Sequence, residues 1–216
     1  MAIKIVVFDV GETLVNEDRL WGRWAAYLGV EADVLRSTLD EVIANGEHHR
    51  AVFERFSPGL DVEGARRDRA ARGDIDIFNA ADLYPDALPC LRTLRRHGYV
   101  VGIAGNQSCD AETMKRLGLE ADFVASAADW GVEKPNSTFF ARVRETAKVP
   151  ASSIAYVGDR LDNDVLPARA AGMVAVFIIR GPWGRAHAKR PELVQANLVV
   201  AGLAELPHAL ARFSVT

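Results

Sequence analysis

Short, uninterrupted runs of apolar and β-branched residues recur along the chain. The clearest occupy residues 3–8, 99–104, 154–157 and 174–179, and a weaker run occupies residues 197–200. Strands that are buried on both faces of a parallel sheet have this continuous pattern, whereas half-exposed strands alternate apolar with polar positions. The pattern therefore predicts a parallel sheet with these runs as its strands.

Helical periodicity fills the segments between the later runs. Residues 86–97, 110–117 and 163–171 have this periodicity, and they are followed by Gly98, Gly118 and Gly172. A glycine in this position is typical of a helix end, where the chain adopts a positive φ. The alternation of strands and helices predicts an α/β fold with a doubly wound parallel sheet, which binds ligands beyond the carboxyl ends of its strands.

Residues 16–84 interrupt this alternation because they contain no comparable β-branched run. Three apolar stripes at helical spacing run through the segment instead: Leu20, Trp24, Tyr27 and Leu28; Val34, Leu35, Leu39, Val42 and Ile43; and Val52, Phe53 and Phe56. We predict a small all-helical insertion over 16–84, between the two parts of an α/β core at 1–15 and 85–216. The arginine-rich stretch 64–73 is predicted to be a solvated helix face.

Composition narrows the class of protein. The 216 residues are 49% hydrophobic, and 26 basic against 29 acidic residues give a net charge of −3. Without a clustered basic stripe, neither nucleic acid nor an anionic membrane is expected as a partner. No apolar run reaches the roughly 18 residues of a membrane span, and the first residues contain no cleavage site, so we predict a cytoplasmic protein. Cys90 and Cys109 lack metal-ligand spacing and are predicted to be buried free thiols.

Three polar segments carry the candidate chemistry. They place Asp9 at the end of the first strand, Lys134 beside Pro135 at a helix entrance, and Asp159, Asp162 and Asp164 after the strand 154–157. Each has an ordinary explanation when taken singly, since an aspartate after a strand often caps a turn and most lysines are solvated. A cluster of carboxylates at a strand end instead indicates a hard cation, because the charges would otherwise repel one another. Asp162 is expected to be a surface residue.

Together these segments resemble the haloacid dehalogenase superfamily of aspartate-nucleophile hydrolases. FDVGETL is similar to the first motif of that family, AGNQ occupies the place of the second, EKPN is similar to the third, and GDRLDNDVLPARAAGM is similar to the fourth. The resemblance covers almost all of the chain outside the insertion. It implies a Rossmann-like core, with the insertion as a helical cap of the family's first cap class.

The resemblance also implies roles for individual residues. Asp9 would be the nucleophile that attacks phosphorus and becomes an aspartyl-phosphate, and Lys134 would neutralise Asp9 and the transferring oxygens. Asp159 would bind Mg²⁺ together with Asp9 and the backbone carbonyl of Gly11, while Asp164 would support the metal or Lys134. Because a carboxylate that approaches a phosphate dianion meets like-charge repulsion, a divalent cation and a lysine are needed.

Two positions depart from the family's pattern. Gly11 replaces the aspartate that protonates the leaving oxygen and activates water, and losing such assistance costs about 10²- to 10⁴-fold in rate. Glu12 is a candidate substitute, although a small residue normally takes its place in the motif. Gly105 replaces the hydroxyl residue of the second motif. Backbone N–H groups of Gly105 and Asn106, or the hydroxyl of Ser108, are candidates to bind the phosphoryl oxygens instead; the alternative for Ser108 is a helix N-cap.

These residues leave three functions open. The first is a Mg²⁺-dependent phosphatase that acts on a small phosphorylated metabolite and prefers good leaving groups, such as acyl or aryl phosphates. The second is a 2-haloacid dehalogenase, but the family's dehalogenases lack the metal-binding pair that Asp159 and Asp164 provide here. The third is a non-catalytic or regulatory phosphate-binding protein, which the changes at positions 11 and 105 favour and the retention of Asp9 and Lys134 opposes.

Overall fold

The computed structural model describes residues 2–107 and 110–213. The chain divides into two compact units, one formed by Met1–Asn16 with Asn79–Thr216 and the other by Glu17–Phe78. The helices are, in chain order, α1 (Asp18–Leu28), α2 (Ala32–Ala44), α3 (Ala51–Phe56), α4 (Val62–Ala71), α5 (Ala87–Arg96), α6 (Ala111–Lys115), α7 (Ala127–Trp130), α8 (Ser137–Ala147), α9 (Leu166–Ala170), α10 (Gly181–His187) and α11 (Leu206–Phe213).

The larger unit contains one sheet, which has six parallel strands among the described residues. They are β1 (Ile5–Phe8), β2 (Val100–Gly105), β3 (Phe123–Ser126), β4 (Ile154–Gly158), β5 (Val174–Ile178) and β6 (Leu198–Val200), in the spatial order β3-β2-β1-β4-β5-β6. Ile5 pairs with Val100 on one side and with Ile154 on the other. The strand order reverses between β1 and β4, so their carboxyl ends flank the point where such sheets bind ligands.

The predicted doubly wound α/β fold and its strands are confirmed, each strand within two residues of its predicted bounds. Gly98, Gly118 and Gly172 take φ values of 86°, 72° and 79°, as predicted for helix ends. β3 is not among the predicted strands, because its two large apolar residues are only partly buried and pairing with β2 makes the segment a strand. A Cβ at Gly102 would lie 2.1 Å from the Phe123 ring, so only glycine lets that ring cover β2.

The helix predicted over 163–171 begins differently. Residues Leu161–Val165 form a π-helical turn ahead of α9. In this turn the N–H of Val165 donates to the carbonyl of Arg160 at 3.1 Å, five residues back. Such wider turns are frequent at functional sites, and this one carries Asp164.

In the smaller unit, the helical prediction holds but the buried faces differ in part. Five residues of the predicted stripes are not fully buried: Leu20, Tyr27, Leu28, Phe56 and Val34, of which Val34 is 51% exposed. In α1 the buried residues are Trp21, Trp24 and Ala25. Both tryptophans contact Phe53, at ring-centroid distances of 6.2 and 4.6 Å, so α1 is rotated relative to the predicted stripe.

The arginine-rich stretch is not simply a solvated helix face. The side chain of Arg69 in α4 is 2% exposed, and it forms ion pairs with Asp74 at 2.7 Å and Asp76 at 2.8 Å. Its guanidinium also lies 4.4 Å from the centroid of the Trp24 ring. The prediction is wrong at this residue, because the acidic segment after the helix supplies the partners that a buried guanidinium requires.

The chain segments that lead into and out of the insertion form backbone hydrogen bonds with each other inside the larger unit. The N–H of Asn16 donates to the carbonyl of Asp82 at 2.8 Å, and the N–H of Tyr84 donates to the carbonyl of Leu14 at 3.0 Å. The last residues of the predicted insertion, 79–84, therefore belong to the compact unit that contains the sheet. That the helical unit acts as a cap stays a prediction.

Cys90 in α5 is a buried free thiol, as predicted. Burial, together with the nearby carboxylate of Asp86, raises its thiol pKa to about 12. Cys109 lies outside the described residues. Within the described part of the chain, no helix combines the length and apolar character that crossing a membrane requires. The cytoplasmic location stays a prediction.

Candidate active site

Three carboxylates meet at the carboxyl edge of the sheet. Asp9 directly follows β1 and continues its ladder, because its N–H donates to the carbonyl of Val157 in β4 at 2.9 Å. Asp159 follows β4, and Asp164 lies in the π-helical turn. All three are buried, and one oxygen of each lies within 4.8 Å of the others. The structure thus brings together residues that the sequence analysis took from opposite ends of the chain.

The ammonium of Lys134 lies between two of these carboxylates. Its Nζ donates to Oδ1 of Asp9 at 2.6 Å and to Oδ1 of Asp164 at 2.5 Å, and the lysine side chain is 1% exposed. Burial by itself lowers the pKa of Lys134, but Asp164 and Asp9 outweigh it and hold that pKa well above its usual value. Burial raises the pKa of Asp164 to about 6, although Lys134 opposes this shift. Lys134 is therefore a permanent cation at neutral pH.

Asp164 is fixed through both of its oxygens. Lys134 binds Oδ1, and the backbone N–H of Arg160 donates to Oδ2 at 3.0 Å. A Cβ at Gly158 would lie 2.3 Å from Cγ of Asp164. Glycine at the end of β4 is therefore required for the carboxylate to lie against the strand.

Asn106 holds the backbone of the lysine. Its Oδ1 accepts the N–H of Lys134 at 2.7 Å, and its Nδ2 donates to the carbonyl of the same residue at 2.9 Å. Phosphate binding by the backbone N–H of Asn106 stays a prediction. The Asn106 side chain instead orients Lys134, because both ends of its amide bind the lysine backbone.

Gly105 ends β2 beside the nucleophile candidate. A Cβ at this position would lie 2.7 Å from Oδ1 of Asp9 and 2.4 Å from Oε1 of Gln107. A serine or threonine here would therefore displace both side chains. Gln107 is absent from the sequence-predicted site; the signal that could have found it is a polar amide two positions after the missing hydroxyl. Ser108, the other candidate in this loop, lies outside the described residues.

The structure ties Glu12 to groups other than the carboxylate cluster. Its side chain is buried, and Oε2 accepts the hydroxyl of Tyr84 at 2.5 Å. A Cβ at Gly181, where φ is +65°, would lie 2.6 Å from Cγ of Glu12. These contacts disfavour Glu12 as the substitute acid. Gly11 forms a β-bridge with Val15 in the same turn, and its carbonyl as a metal ligand stays a prediction.

Asp162 lies outside the cluster, as its predicted surface role requires. Its side chain is 51% exposed and accepts from Nε and Nη2 of Arg160 at 3.1 and 2.7 Å. The Arg160 guanidinium also lies 5.0 Å from the centroid of the Trp183 ring. Arg160 is thus held by protein groups beside the site.

His187 binds the backbone of the π-helical turn 161–165. Its side chain is 3% exposed, and its Nδ1 accepts the backbone N–H of Leu161 at 3.0 Å, which requires an unprotonated nitrogen. Burial lowers the pKa of His187 to about 4; Asp162 opposes the shift, and Arg190 and Arg160 add to it. His187 therefore becomes protonated below pH about 6.5 in the unfolded chain, but only below pH about 4 in the folded chain.

We expect the His187 side chain to make the protein lose stability on acidification. Between pH 6.5 and 4 it should lower the free energy of unfolding by up to about 3 kcal/mol, because only the unfolded state binds the proton. His187→Asn, whose Oδ1 can still accept from Leu161, should lose less over the same range. Urea unfolding at several pH values tests this, with His208→Asn at an exposed histidine as the control. An equal loss in wild type and His187→Asn would contradict the assignment.

The donor set fits a hard divalent cation. Asp9, Asp159 and Asp164 offer carboxylate oxygens, the ligands that Mg²⁺ prefers, within one cluster. Three carboxylates outnumber the single ammonium of Lys134, so a further positive charge would relieve their repulsion. These residues can therefore hold a metal ion.

Comparisons with known proteins point to one family. Residues 3–172 match the family described as haloacid dehalogenase-like hydrolase. The chain is 34% identical to a glyceraldehyde 3-phosphate phosphatase from Methanopyrus kandleri, over 84% of this chain and 86% of the relative. It is 29% identical to the enzyme of that name from Pyrococcus furiosus, over 97% and 94%. The crystal structure of a 2-haloacid dehalogenase from Pseudomonas syringae covers 98% of this chain and 99% of its own, with a TM-score of 0.59 and 27% identity.

Proposed function

Since this chain belongs to the haloacid dehalogenase-like hydrolases, we propose that it is a Mg²⁺-dependent phosphatase that acts through an aspartyl-phosphate on a small phosphorylated metabolite. One observation carries the proposal: the Lys134 ammonium lies 2.6 Å from Asp9 and 2.5 Å from Asp164 in a buried cluster that includes Asp159. This arrangement supports a role for an Asp9 oxygen as nucleophile, because fixed positive charge lies beside it. The relatives named as phosphatases support a phosphate ester as substrate.

The reaction has two displacements at phosphorus. First, a carboxylate oxygen of Asp9 attacks phosphorus while the bond to the leaving oxygen breaks, and that oxygen takes a proton from solvent. Then water attacks the phosphorus of the aspartyl-phosphate, its proton passes to solvent, and inorganic phosphate leaves as Asp9 is regenerated. Lys134 neutralises charge on Asp9 and the transferring oxygens throughout. Asp9, Asp159 and Asp164 would hold Mg²⁺, which supplies the remaining neutralisation.

Position 11 sets the preferred leaving group. Gly11 has no side chain to protonate the leaving oxygen, and Glu12 is engaged with Tyr84. An acyl or aryl oxygen leaves readily as an anion, whereas an alkoxide needs a proton as the bond breaks. We therefore infer a preference for acyl and aryl phosphates over alkyl phosphates. Glyceraldehyde 3-phosphate, an alkyl phosphate, is the second candidate substrate, favoured by the names of the relatives.

Dehalogenation is the alternative that the similarity to the Pseudomonas syringae enzyme favours. The acidic cluster opposes this function, because a carboxylate that attacks a neutral carbon needs no such metal site. A non-catalytic role is opposed by the buried contact between Lys134 and Asp9, which activation of the carboxylate explains and passive phosphate binding does not.

A substrate panel tests these functions against each other. We expect phosphate release from acetyl phosphate and p-nitrophenyl phosphate with Mg²⁺, slower release from glyceraldehyde 3-phosphate, and none with EDTA. Halide release from 2-chloropropionate without metal, and no phosphate release, would instead establish a dehalogenase. The absence of both reactions, with no Mg²⁺-dependent binding of beryllium fluoride, would overturn any enzymatic proposal at Asp9.

A further inference from the structure

We propose that Gln107 is a further substrate-binding residue, whose side-chain NH₂ binds a phosphoryl oxygen in place of the hydroxyl that is missing at Gly105. The inference rests on the proposed phosphatase function and extends it to a residue outside the four acidic and basic groups of the site.

The first support is the position of the amide. A Cβ at Gly105 would lie 2.4 Å from Oε1 of Gln107 and 3.3 Å from its Cδ, so the amide fills the volume that a side chain at position 105 would need. The same Cβ would lie 2.7 Å from Oδ1 of Asp9. The glutamine amide and the attacking carboxylate therefore flank one small space at the end of β2.

The second support is an unsatisfied atom. Oε1 of Gln107 is buried and has no hydrogen-bond partner among the described residues. In contrast, the neighbouring amide of Asn106 is satisfied at both ends by Lys134. A buried amide oxygen without a partner is destabilising and calls for an explanation. An amide that turns to present its NH₂ group at this place, where it can meet an acceptor, provides one.

Only the NH₂ group of the Gln107 amide can form hydrogen bonds with the groups at this space. Oδ1 of Asp9 and phosphoryl oxygens accept hydrogen bonds, so Oε1 cannot bind either of them. A half-turn about the last side-chain bond exchanges the oxygen for NH₂, which can donate to both. The Lys134 ammonium is already shared between Asp9 and Asp164. An additional donor at this edge would stabilise the charge on the transferring phosphoryl group.

The test compares Gln107→Leu and Gln107→Glu with Gln195→Leu, which alters the chain's other glutamine at an exposed position. The readouts are kcat/KM for acetyl phosphate with Mg²⁺ and competitive inhibition by inorganic phosphate. We expect Gln107→Leu to lower kcat/KM and weaken phosphate inhibition by about 10- to 100-fold, the value of a hydrogen bond to a charged group. Gln107→Glu keeps the acceptor and loses the donor, so it should be at least as impaired. Gln195→Leu should match wild type.

A residue swap provides the sharper test. Gly105→Ser alone should lower activity because its side chain displaces Asp9 and Gln107. Gly105→Ser combined with Gln107→Ala supplies a hydroxyl in the vacated space and leaves only Asp9 to shift, so it should recover part of the activity that Gly105→Ser alone removes. Gly105→Ala combined with Gln107→Ala relieves the same crowding without supplying a hydroxyl and should not recover activity, whereas a merely structural role for Gln107 predicts recovery in both pairs. The swap also tests the proposed role of Gln107 in substrate binding if Gln107→Leu fails to fold.

Two outcomes overturn the inference: wild-type phosphate inhibition and kcat/KM in Gln107→Leu, or additive losses in the swap. Failure of the proposed function has a different signature, because wild type itself would then release no phosphate from acetyl phosphate.

Discussion

Asp9→Asn is expected to abolish phosphate release, with kcat lowered by at least about 10³-fold, the scale on which enzymes lose rate when a nucleophile is removed. The amide of asparagine has nearly the shape of the carboxylate but does not attack phosphorus. Phosphate release from acetyl phosphate at saturating Mg²⁺ measures the loss. Mass spectrometry of acid-quenched wild type should show one added phosphoryl group, which Asp9→Asn should lack.

The fold of this variant should be intact. Asp9, Asp159 and Asp164 share a cluster with one ammonium, so removal of a charge relieves repulsion, and the metal-free variant should unfold at no lower temperature than wild type. Asp162→Asn is the matched control, because Asp162 belongs to the same acidic segment but is half-exposed and bound to Arg160. It should retain activity. Turnover by a folded Asp9→Asn protein would show that Asp9 is not the nucleophile.

Gly11→Asp is expected to raise kcat/KM for alkyl phosphates by about 10²- to 10⁴-fold, the range that general acid and base assistance supplies. The new carboxyl group would protonate the alkoxide as it leaves and then activate water. Acyl phosphates need no proton on the leaving oxygen, so their formation of the aspartyl-phosphate should change little. The ratio of kcat/KM for glyceraldehyde 3-phosphate to that for acetyl phosphate measures the effect.

Gly11→Asn separates proton transfer from the mere presence of a side chain, since it has the same size and cannot donate an acidic proton. It should leave the ratio near that of wild type. An equal rise in Gly11→Asn, or no change in the ratio for a folded Gly11→Asp, would show that position 11 does not limit catalysis. Glu12→Gln provides a second comparison, and we expect it to keep the pH profile of wild type because Tyr84 can still donate to the amide oxygen.

The sequence predicts the sheet well because burial on both faces leaves a direct pattern of apolar residues, as in β1 and β4. It also indicates Asp9 and Asp159, since strand ends that share one edge bring such residues together. Lys134 is indicated by the resemblance of EKPN to the family's third motif. β3 escapes prediction because its pairing depends on space that Gly102 leaves for Phe123, a contact between distant segments.

Other features of the site depend on loop packing and leave no periodic pattern. The bonds of Asn106 to the backbone of Lys134 join residues from two loops, and neither residue type indicates the other. The contact of Glu12 with Tyr84 likewise spans the whole insertion. Arg69 is buried against the expectation for an arginine-rich helix because Asp74 and Asp76 follow it. In each case the position of the side chain depends on its partner, which the residue type alone does not indicate.

The central place of β1 has a consequence for how the protein is made. Ile5 pairs with Val100 and Ile154, so the strand that ends at Asp9 acquires its neighbours only after distant parts of the chain have emerged from the ribosome. Closing such long loops is entropically costly, which makes sheets of this kind slow to form. A nascent chain that stops before β4 would thus leave one edge of the apolar β1 unpaired, and Asp9 would lack Asp159 and Asp164 as neighbours until the last third of the chain is made.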